Sequence, residues 1–128
     1  MSTIFTKIIS GELPSYKIYE DEFVIAILDI NPIQKGHTLV IPKVEVDDMF
    51  SLDEKMYDHV MHRVRYVSQL LKAKFDCARV CVLVEGYNIP HAHVHLVPTN
   101  SPADFEKKLA YVASKEELEE VHKLLTCS

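Results

Sequence analysis

Three histidines at alternate positions in His91-Ala92-His93-Val94-His95-Leu96 are the residues whose type and spacing most directly suggest chemistry. On an extended strand successive side chains take opposite faces, so the three imidazoles share one face at intervals of about 6.8 Å. Ala92, Val94 and Leu96 then point the other way, where they can pack against a helix. Apolar residues anchor such a strand and polar ones are presented by it, which is the division a rigid site needs. Two chemistries fit. Alternating strand histidines can ligate zinc with a further group from elsewhere. A neutral imidazole nitrogen can instead attack phosphorus while neighbouring donors stabilise the phosphoryl oxygens. Clustered imidazoles suit the second task, because mutual repulsion keeps at least one of them neutral. Spacing alone does not choose between the two.

The rest of the chain has to hold that strand. Ile4, Phe5, Ile8 and Ile9 recur at helical spacing and predict a short first helix closed by Gly11. Residues 16–19, 24–29 and 38–41 read as strands, the last two joined by an Asn-Pro…Gly turn ending at Gly36. Ser51-Leu52-Asp53-Glu54 has the form of a capping box. It opens a long helix whose apolar positions Met56, Val60, Val64, Val67 and Leu71 keep one face. Residues 78–84 are nearly all apolar and predict a central, doubly buried strand; residues 91–97 predict the histidine strand. Ser101-Pro102 reads as a helix start leading into Phe105, Leu109 and Val112. Ser114 with Glu117 repeats the capping box before Leu118, Val121 and Leu125. The order α-β-β-β-α-β-β-α-α, with strand neighbours joined by short turns, points to an α+β fold with an antiparallel sheet.

Composition narrows the function. At 128 residues, 48% hydrophobic and 26% charged, the chain is expected to form a single domain, residues 1–128, with one real core. No run approaches the ~18 apolar residues of a membrane span, and residues 1–7 lack the pattern of a signal peptide, so no membrane partner and a cytoplasmic location are expected. A net charge of −5 without a lysine or arginine block argues against a nucleic-acid polymer as partner. A single phosphate ester stays open, since it needs only a local cluster of donors. Cys77, Cys81 and Cys127 contain no C-x-x-C pair. With Cys77 and Cys81 four residues apart on one predicted strand, about 13.6 Å, they are expected to be reduced thiols rather than a disulfide. His59, His62 and His122 fall on predicted helices and read as surface residues.

His91-Ala92-His93-Val94-His95-Leu96-Val97 is similar to the signature of the histidine-triad (HIT) family. The segment from Ile4 to Pro14 resembles the opening of its Hint branch, the histidine-triad nucleotide-binding proteins. So do Ile18-Tyr19-Glu20-Asp21, Leu28-Asp29-Ile30-Asn31-Pro32 and Gly36-His37-Thr38-Leu39-Val40-Ile41-Pro42-Lys43, all in family order. The resemblance implies a HIT-like fold: a five-stranded antiparallel sheet with one long helix packed on it and short terminal helices. It implies that His93 is the nucleophile that becomes nucleotidylated and that His95 lies near the reacting phosphate. His91 and His37 would support the nucleophile's geometry. Asp29 would accept hydrogen bonds from ribose hydroxyls, the lesser alternative being a strand-end turn cap. Phe5, Ile8, Ile27 and Leu39 would wall a base pocket, although from the residues alone they read as core.

Departures from the family qualify these expectations. Many bacterial relatives hold a structural zinc with two cysteines and a histidine where this chain has Thr3, Thr6 and Glu45, so no metal is expected there. The turn before the triad, Gly86-Tyr87-Asn88-Ile89-Pro90, is shortened. Asn88 can donate to a phosphate oxygen but cannot relay a proton as a hydroxyl could. The reading is a cofactor-independent enzyme, expected to be a homodimer, that cleaves at the α-phosphorus of a nucleotide conjugate, purine favoured. The conjugate is a nucleoside phosphoramidate or a dinucleoside polyphosphate, cleaved through a covalent nucleotidyl-histidine. The alternatives are a nucleotide-binding or scaffold protein with little turnover, and a metal-dependent hydrolase using the triad as ligands.

Overall fold

The structure, a computed structural model, describes residues 2–127; Met1, which opens the predicted N-terminal stretch, and Ser128 lie outside the described residues. The chain runs α1 (Ile4–Ile9), β1 (Lys17–Glu20), β2 (Val24–Leu28), β3 (Thr38–Pro42), α2 (Glu54–Phe75), β4 (Arg79–Leu83), β5 (Val94–Thr99) and α3 (Lys115–Thr126), with short 3-10 turns at Met49–Ser51, Pro102–Asp104 and Lys107–Leu109. The five strands form one antiparallel sheet in the order β1-β2-β3-β5-β4. This is the α+β architecture expected of the sequence.

The long helix forms because its apolar residues recur at helical spacing and Asp53 caps its start, its carboxylate accepting the Met56 N–H at 2.8 Å. Its buried positions Val60, Val64, Val67 and Leu71 pack on Val24, Ala26, Leu28, Val40, Ala92, Val94 and Leu96. Ala92, Val94 and Leu96 thus take the helix side, as their alternation with the histidines requires. The other side of β2 and β3 carries Ile25, Ile27, Leu39 and Ile41, covered by Phe5, Ile8 and Ile9 of α1. Because α1 has only six residues, it covers only part of that face.

Several expectations give way to non-local contacts. The doubly buried strands are β2 and β3, every residue of which is buried; β4 is an edge strand, with Val82 43% exposed. The apolar run at 78–84 marks a strand but not its place, because β5 inserts between β3 and β4. The histidine strand begins at Val94 rather than His91. The His91 N–H bonds the Ile89 carbonyl and the Ala92 N–H the Val46 carbonyl, so neither donor joins the ladder. The helix start at Ser101-Pro102 is present, but only as a 3-10 turn, with a second at Lys107–Leu109, and no α-helix follows over 102–112: the Tyr111 and Ala113 N–H groups reach the carbonyls of Pro32 and Ile30 instead of closing helical turns. Ser51 sits in a 3-10 turn and Asp53 is the cap of α2, whereas Ser114 caps α3 as expected. Cys77 precedes β4, so only Cys81 is on the strand, and all three cysteines are free thiols.

Gly36 closes the turn into β3 at φ +94°, and a Cβ built there would lie 2.8 Å from the Phe75 ring. Both the backbone conformation and the space demand glycine. Gly36→Ala is expected to lower unfolding free energy by about 2–4 kcal/mol in urea titration, the sum of backbone strain and a displaced ring. Gly11→Ala, at φ +86° with open space around it, should cost about 1–2 kcal/mol from backbone strain alone.

Candidate active site

The part of the sheet face left open beside α1 forms a cavity of about 640 Å³. Every expected site residue except His91 lines it: Phe5, Ile8, Ile27 and Leu39 form apolar wall, and Asp29, His37, Asn88, His93 and His95 supply polar groups. His91 is 1% exposed and lies behind His93. Its Nε2 is 2.8 Å from the Pro42 carbonyl, which can only accept, so that nitrogen carries the proton. Phe5 touches both rings edge-on, its centroid 4.9 Å from that of His93 and 6.0 Å from that of His91. One phenyl therefore both walls the cavity and holds two imidazoles.

Hydrogen-bond partners fix the tautomer of each ring. His93 Nδ1 is 2.7 Å from the His91 carbonyl and so carries its proton. The Nε2 of neutral His93 is left as a bare lone pair. In His37 the logic runs the other way. The Ile33 N–H donates to Nδ1 at 3.0 Å, so the proton of the neutral ring sits on Nε2, which donates to His95 Nδ1 at 2.9 Å. His95 must then carry its own proton on Nε2. A chain of donors thus runs from the Ile33 backbone through His37 to His95. It ends in an N–H on His95, whose ring centroid is 4.9 Å from that of His93.

The neutral state this requires follows from burial. Desolvation pushes His37 down to about 4. Desolvation, then repulsion from His37 and His93, pushes His95 down to about 4 as well. His93 is lowered chiefly by desolvation, opposed by its bond to the His91 carbonyl. Asp29 is raised by burial while its Oδ1 accepts the Asn31 N–H at 2.8 Å. Its Oδ2 stands 3.5 Å from His37 Nε2. With His37 neutral this is a polar contact, not an ion pair.

Asp29, His37 and His95 bring three potential metal-ligating atoms within 4.8 Å of one another. The tautomers oppose that use: His37 Nε2 could accept a metal only by moving its proton to Nδ1, which faces the Ile33 N–H. Nor do the three triad histidines converge, since His91 turns to Pro42. Thr3 and Thr6 cap α1, each hydroxyl accepting the other residue's N–H at 3.2–3.3 Å.

Sequence reasoning missed two charged lining residues, Glu85 and Lys107, which form an ion pair. Glu85 was the nearer to legible, because it lies two residues beyond Leu83, which pairs with His95 at the end of β4. Lys107 was not legible, because it comes from the irregular segment. His59 is half-buried on Asp21 and His122 bonds the Lys17 carbonyl, both away from this cavity; His62 is exposed.

The HIT domain family model matches residues 10–101. Among curated relatives, "Protein hit" of Bacillus subtilis is 35% identical over 106 residues, covering 79% of this chain and 73% of the relative. An adenosine 5'-monophosphoramidase of Schizosaccharomyces pombe is 31% identical, covering 77% and 74%. An adenylylsulfatase of Arabidopsis thaliana is 32% identical, covering 74% of this chain and 51% of its own. Among solved structures, a hypothetical histidine triad nucleotide-binding protein from Sulfolobus tokodaii superposes with a TM-score of 0.86 at 34% identity, covering 97% of this chain and 89% of that one.

Depressed imidazoles make stability pH-dependent. A histidine whose folded pKa lies below its unfolded value of 6.5 leaves the unfolded state binding more protons between the two values. His37 and His95 should therefore make stability fall as pH drops from about 6.5 to about 4. Nitrogen-detected NMR is expected to find both rings neutral and protonated on Nε2 at pH 6, with His93 protonated on Nδ1. A His37 or His95 ring titrating near 6.5 would contradict the assignment.

Proposed function

The chain belongs to the HIT family, and from that premise we propose that it is a nucleotide-binding hydrolase in which His93 is the nucleophile. The observation that carries the reading is the bare Nε2 of His93, held by the His91 carbonyl on its far side and facing an apolar cavity. The base would lie against Phe5, Ile8, Ile27 and Leu39, a surface suited to a purine, with the ribose hydroxyls on Asp29. His93 Nε2 attacks the α-phosphorus, a P–N bond forms, and the bond to the leaving group breaks with its electron pair going to that group. An amine also takes a proton from an N–H of the site, which the attacking water returns in the next step. The His95 Nε2–H donates to a phosphoryl oxygen, and Asn88 can do the same. Water then attacks phosphorus, the P–Nε2 bond breaks, and a nucleoside monophosphate and neutral His93 are released. Positioning and fixed donors carry these steps, with no cofactor or metal required. The phosphoramidase and adenylylsulfatase among the relatives support conjugates cleaved at a nucleotide's α-phosphorus, whether phosphoramidates or dinucleoside polyphosphates.

We read residues 1–128 as one domain working in the cytoplasm as a homodimer; no helix among the described residues is long and apolar enough to cross a membrane. The half-exposed apolar β4 at the sheet edge, with Val82 43% and Tyr66 of α2 47% exposed, supports pairing through sheet and long helix. Light scattering at micromolar protein is expected to give about twice the 14.7 kDa chain mass. A stable 14.7 kDa species would exclude the dimer.

Replacing His93 removes the covalent route. His93→Ala is expected to lose roughly 10⁴-fold in turnover of an adenosine phosphoramidate or a dinucleoside polyphosphate, about 5.5 kcal/mol of barrier. Binding of AMP should survive, since base and ribose contact other residues. Quenched wild type should carry an acid-labile nucleotide on the peptide containing His93. Near-normal turnover in His93→Ala would defeat the assignment. Tight AMP binding with no turnover in wild type would favour the binding-protein alternative.

A further inference from the structure

We propose that Lys107 and Glu85 form a leaving-group subsite at the rim of the cavity, selecting nucleotide conjugates whose leaving group is an anion, with Lys107 exchanging Glu85 for that group. The inference rests on the hydrolase reading and narrows its substrates.

Position comes first. The buried wall residues Phe5, Ile27 and Leu39 define the deep, apolar end, and the mouth is ringed by exposed residues; on the Ile30–Asn31 side these flank Asp29, and on the other Lys107 stands against Glu85, which lines the cavity with His93. With the base in the apolar end, its ribose on Asp29 and phosphorus at His93, the group beyond phosphorus lies toward the Lys107 side. Glu85 is the link between the two zones. It lines both this cavity and a second, smaller one that meets it at His93, and its charge is felt by His93 and His95.

Charge comes second. Among the described lining residues Lys107 holds the one permanent positive charge, set against the carboxylates of Asp29 and Glu85, while burial keeps the imidazoles neutral. That charge is paired with Glu85. Lys107 is 62% exposed on a flexible stem, so it can turn to a new partner without moving the fold. An incoming anion offers it an equivalent partner beside the reacting phosphorus. An uncharged group leaves the Lys107–Glu85 pair as it was and gains nothing from it.

The chemistry of departure agrees. When the P–O bond to sulfate, phosphate or carboxylate breaks, the electron pair stays on oxygen and the group leaves as a stable anion. An amine must instead acquire a proton as the P–N bond breaks. The pairing with Lys107 holds Glu85 below the usual carboxylate range and the amide of Asn88 transfers no proton, so an amine depends on the His95 Nε2–H for its proton. A lysine ammonium beside the departing oxygen stabilises the charge that develops there.

The test compares adenosine 5'-phosphosulfate with adenosine 5'-phosphoramidate in wild type, Lys107→Ala, Lys107→Arg and Glu85→Gln. Lys107→Ala is expected to lower the ratio of kcat/KM, sulfate over amide, by about tenfold, as loss of one charge-assisted contact does. Lys107→Arg should restore most of the ratio, and Glu85→Gln should raise it. Calorimetry supplies a readout without turnover: wild type should bind ADP more tightly than AMP, and Lys107→Ala should lose that preference. An unchanged ratio, or equal losses on both substrates with the ADP preference intact, would overturn the subsite. Neither conjugate being hydrolysed, while the ADP preference still depends on Lys107, would sink the hydrolase reading and leave the anion subsite standing. Failure to bind either nucleotide would overturn both.

Discussion

The Ile33 backbone N–H directed at His37 Nδ1, 3.0 Å away, decides which atoms of the site can donate. A buried neutral imidazole has one proton, and occupying one nitrogen as acceptor assigns that proton to the other. The consequence passes to His95 through a single contact of 2.9 Å and appears in the cavity as an outward N–H. The turn that aims Ile33 is held from several sides. Asp29 Oδ1 takes the Asn31 N–H, the Gln34 carbonyl takes the His37 N–H, and Gly36 tucks against Phe75 of α2. Two carbonyls of the same turn, on Ile30 and Pro32, accept N–H groups from Ala113 and Tyr111. The segment expected to be a helix from Ser101-Pro102 into Val112 thus serves as a strap across the turn that sets the tautomers.

The nucleophile candidate depends on a complementary irregularity. On a regular strand the His91 carbonyl would point along the sheet toward a ladder partner. Because the chain joins β5 only at Val94, that carbonyl is free to accept from His93 Nδ1. Loss of regular pairing over 91–93 is made up locally, through Ala92 to Val46 and the His91 ring to Pro42. No buried side-chain polar atom among the described residues lacks a partner. Backbone polar groups released from a ladder must bond elsewhere, and here they bond in the directions that orient the imidazoles.

What the sequence made legible is what local spacing determines. The stripe on α2, the alternation of Ala92, Val94 and Leu96 with the histidines, and the caps around Ser114 are all properties of residues a few positions apart. That the candidate residues share one cavity was legible through family resemblance more than through spacing, since Phe5, Ile27 and Leu39 are core and cavity wall at once. What stayed hidden depends on partners far along the chain. The apolar run at 78–84 does not reveal that β5 will take the inner position. Pro102 gives a good helix start, but residues 111 and 113 find carbonyls 79 and 83 positions away and the helix never forms.

A second histidine–aspartate cluster shows that residue types alone do not make the site. Asp21 accepts from Tyr19, from the Phe23 and Val24 N–H groups, from His59 and from Arg63. Burial pushes its carboxyl up, but these hydrogen bonds outweigh it and hold it well below the usual carboxylate range. Asp21 is thus a saturated acceptor, and its cluster ties β1 to α2. Asp29 has one backbone donor and is raised, and the imidazoles around it are held neutral by desolvation. In one place donors surround a carboxylate until nothing remains to react; in the other, the groups keep lone pairs and N–H bonds directed into an apolar cavity. The difference lies in burial and in unspent hydrogen-bonding capacity, both of which are set by how little of the sheet face the short helix α1 covers.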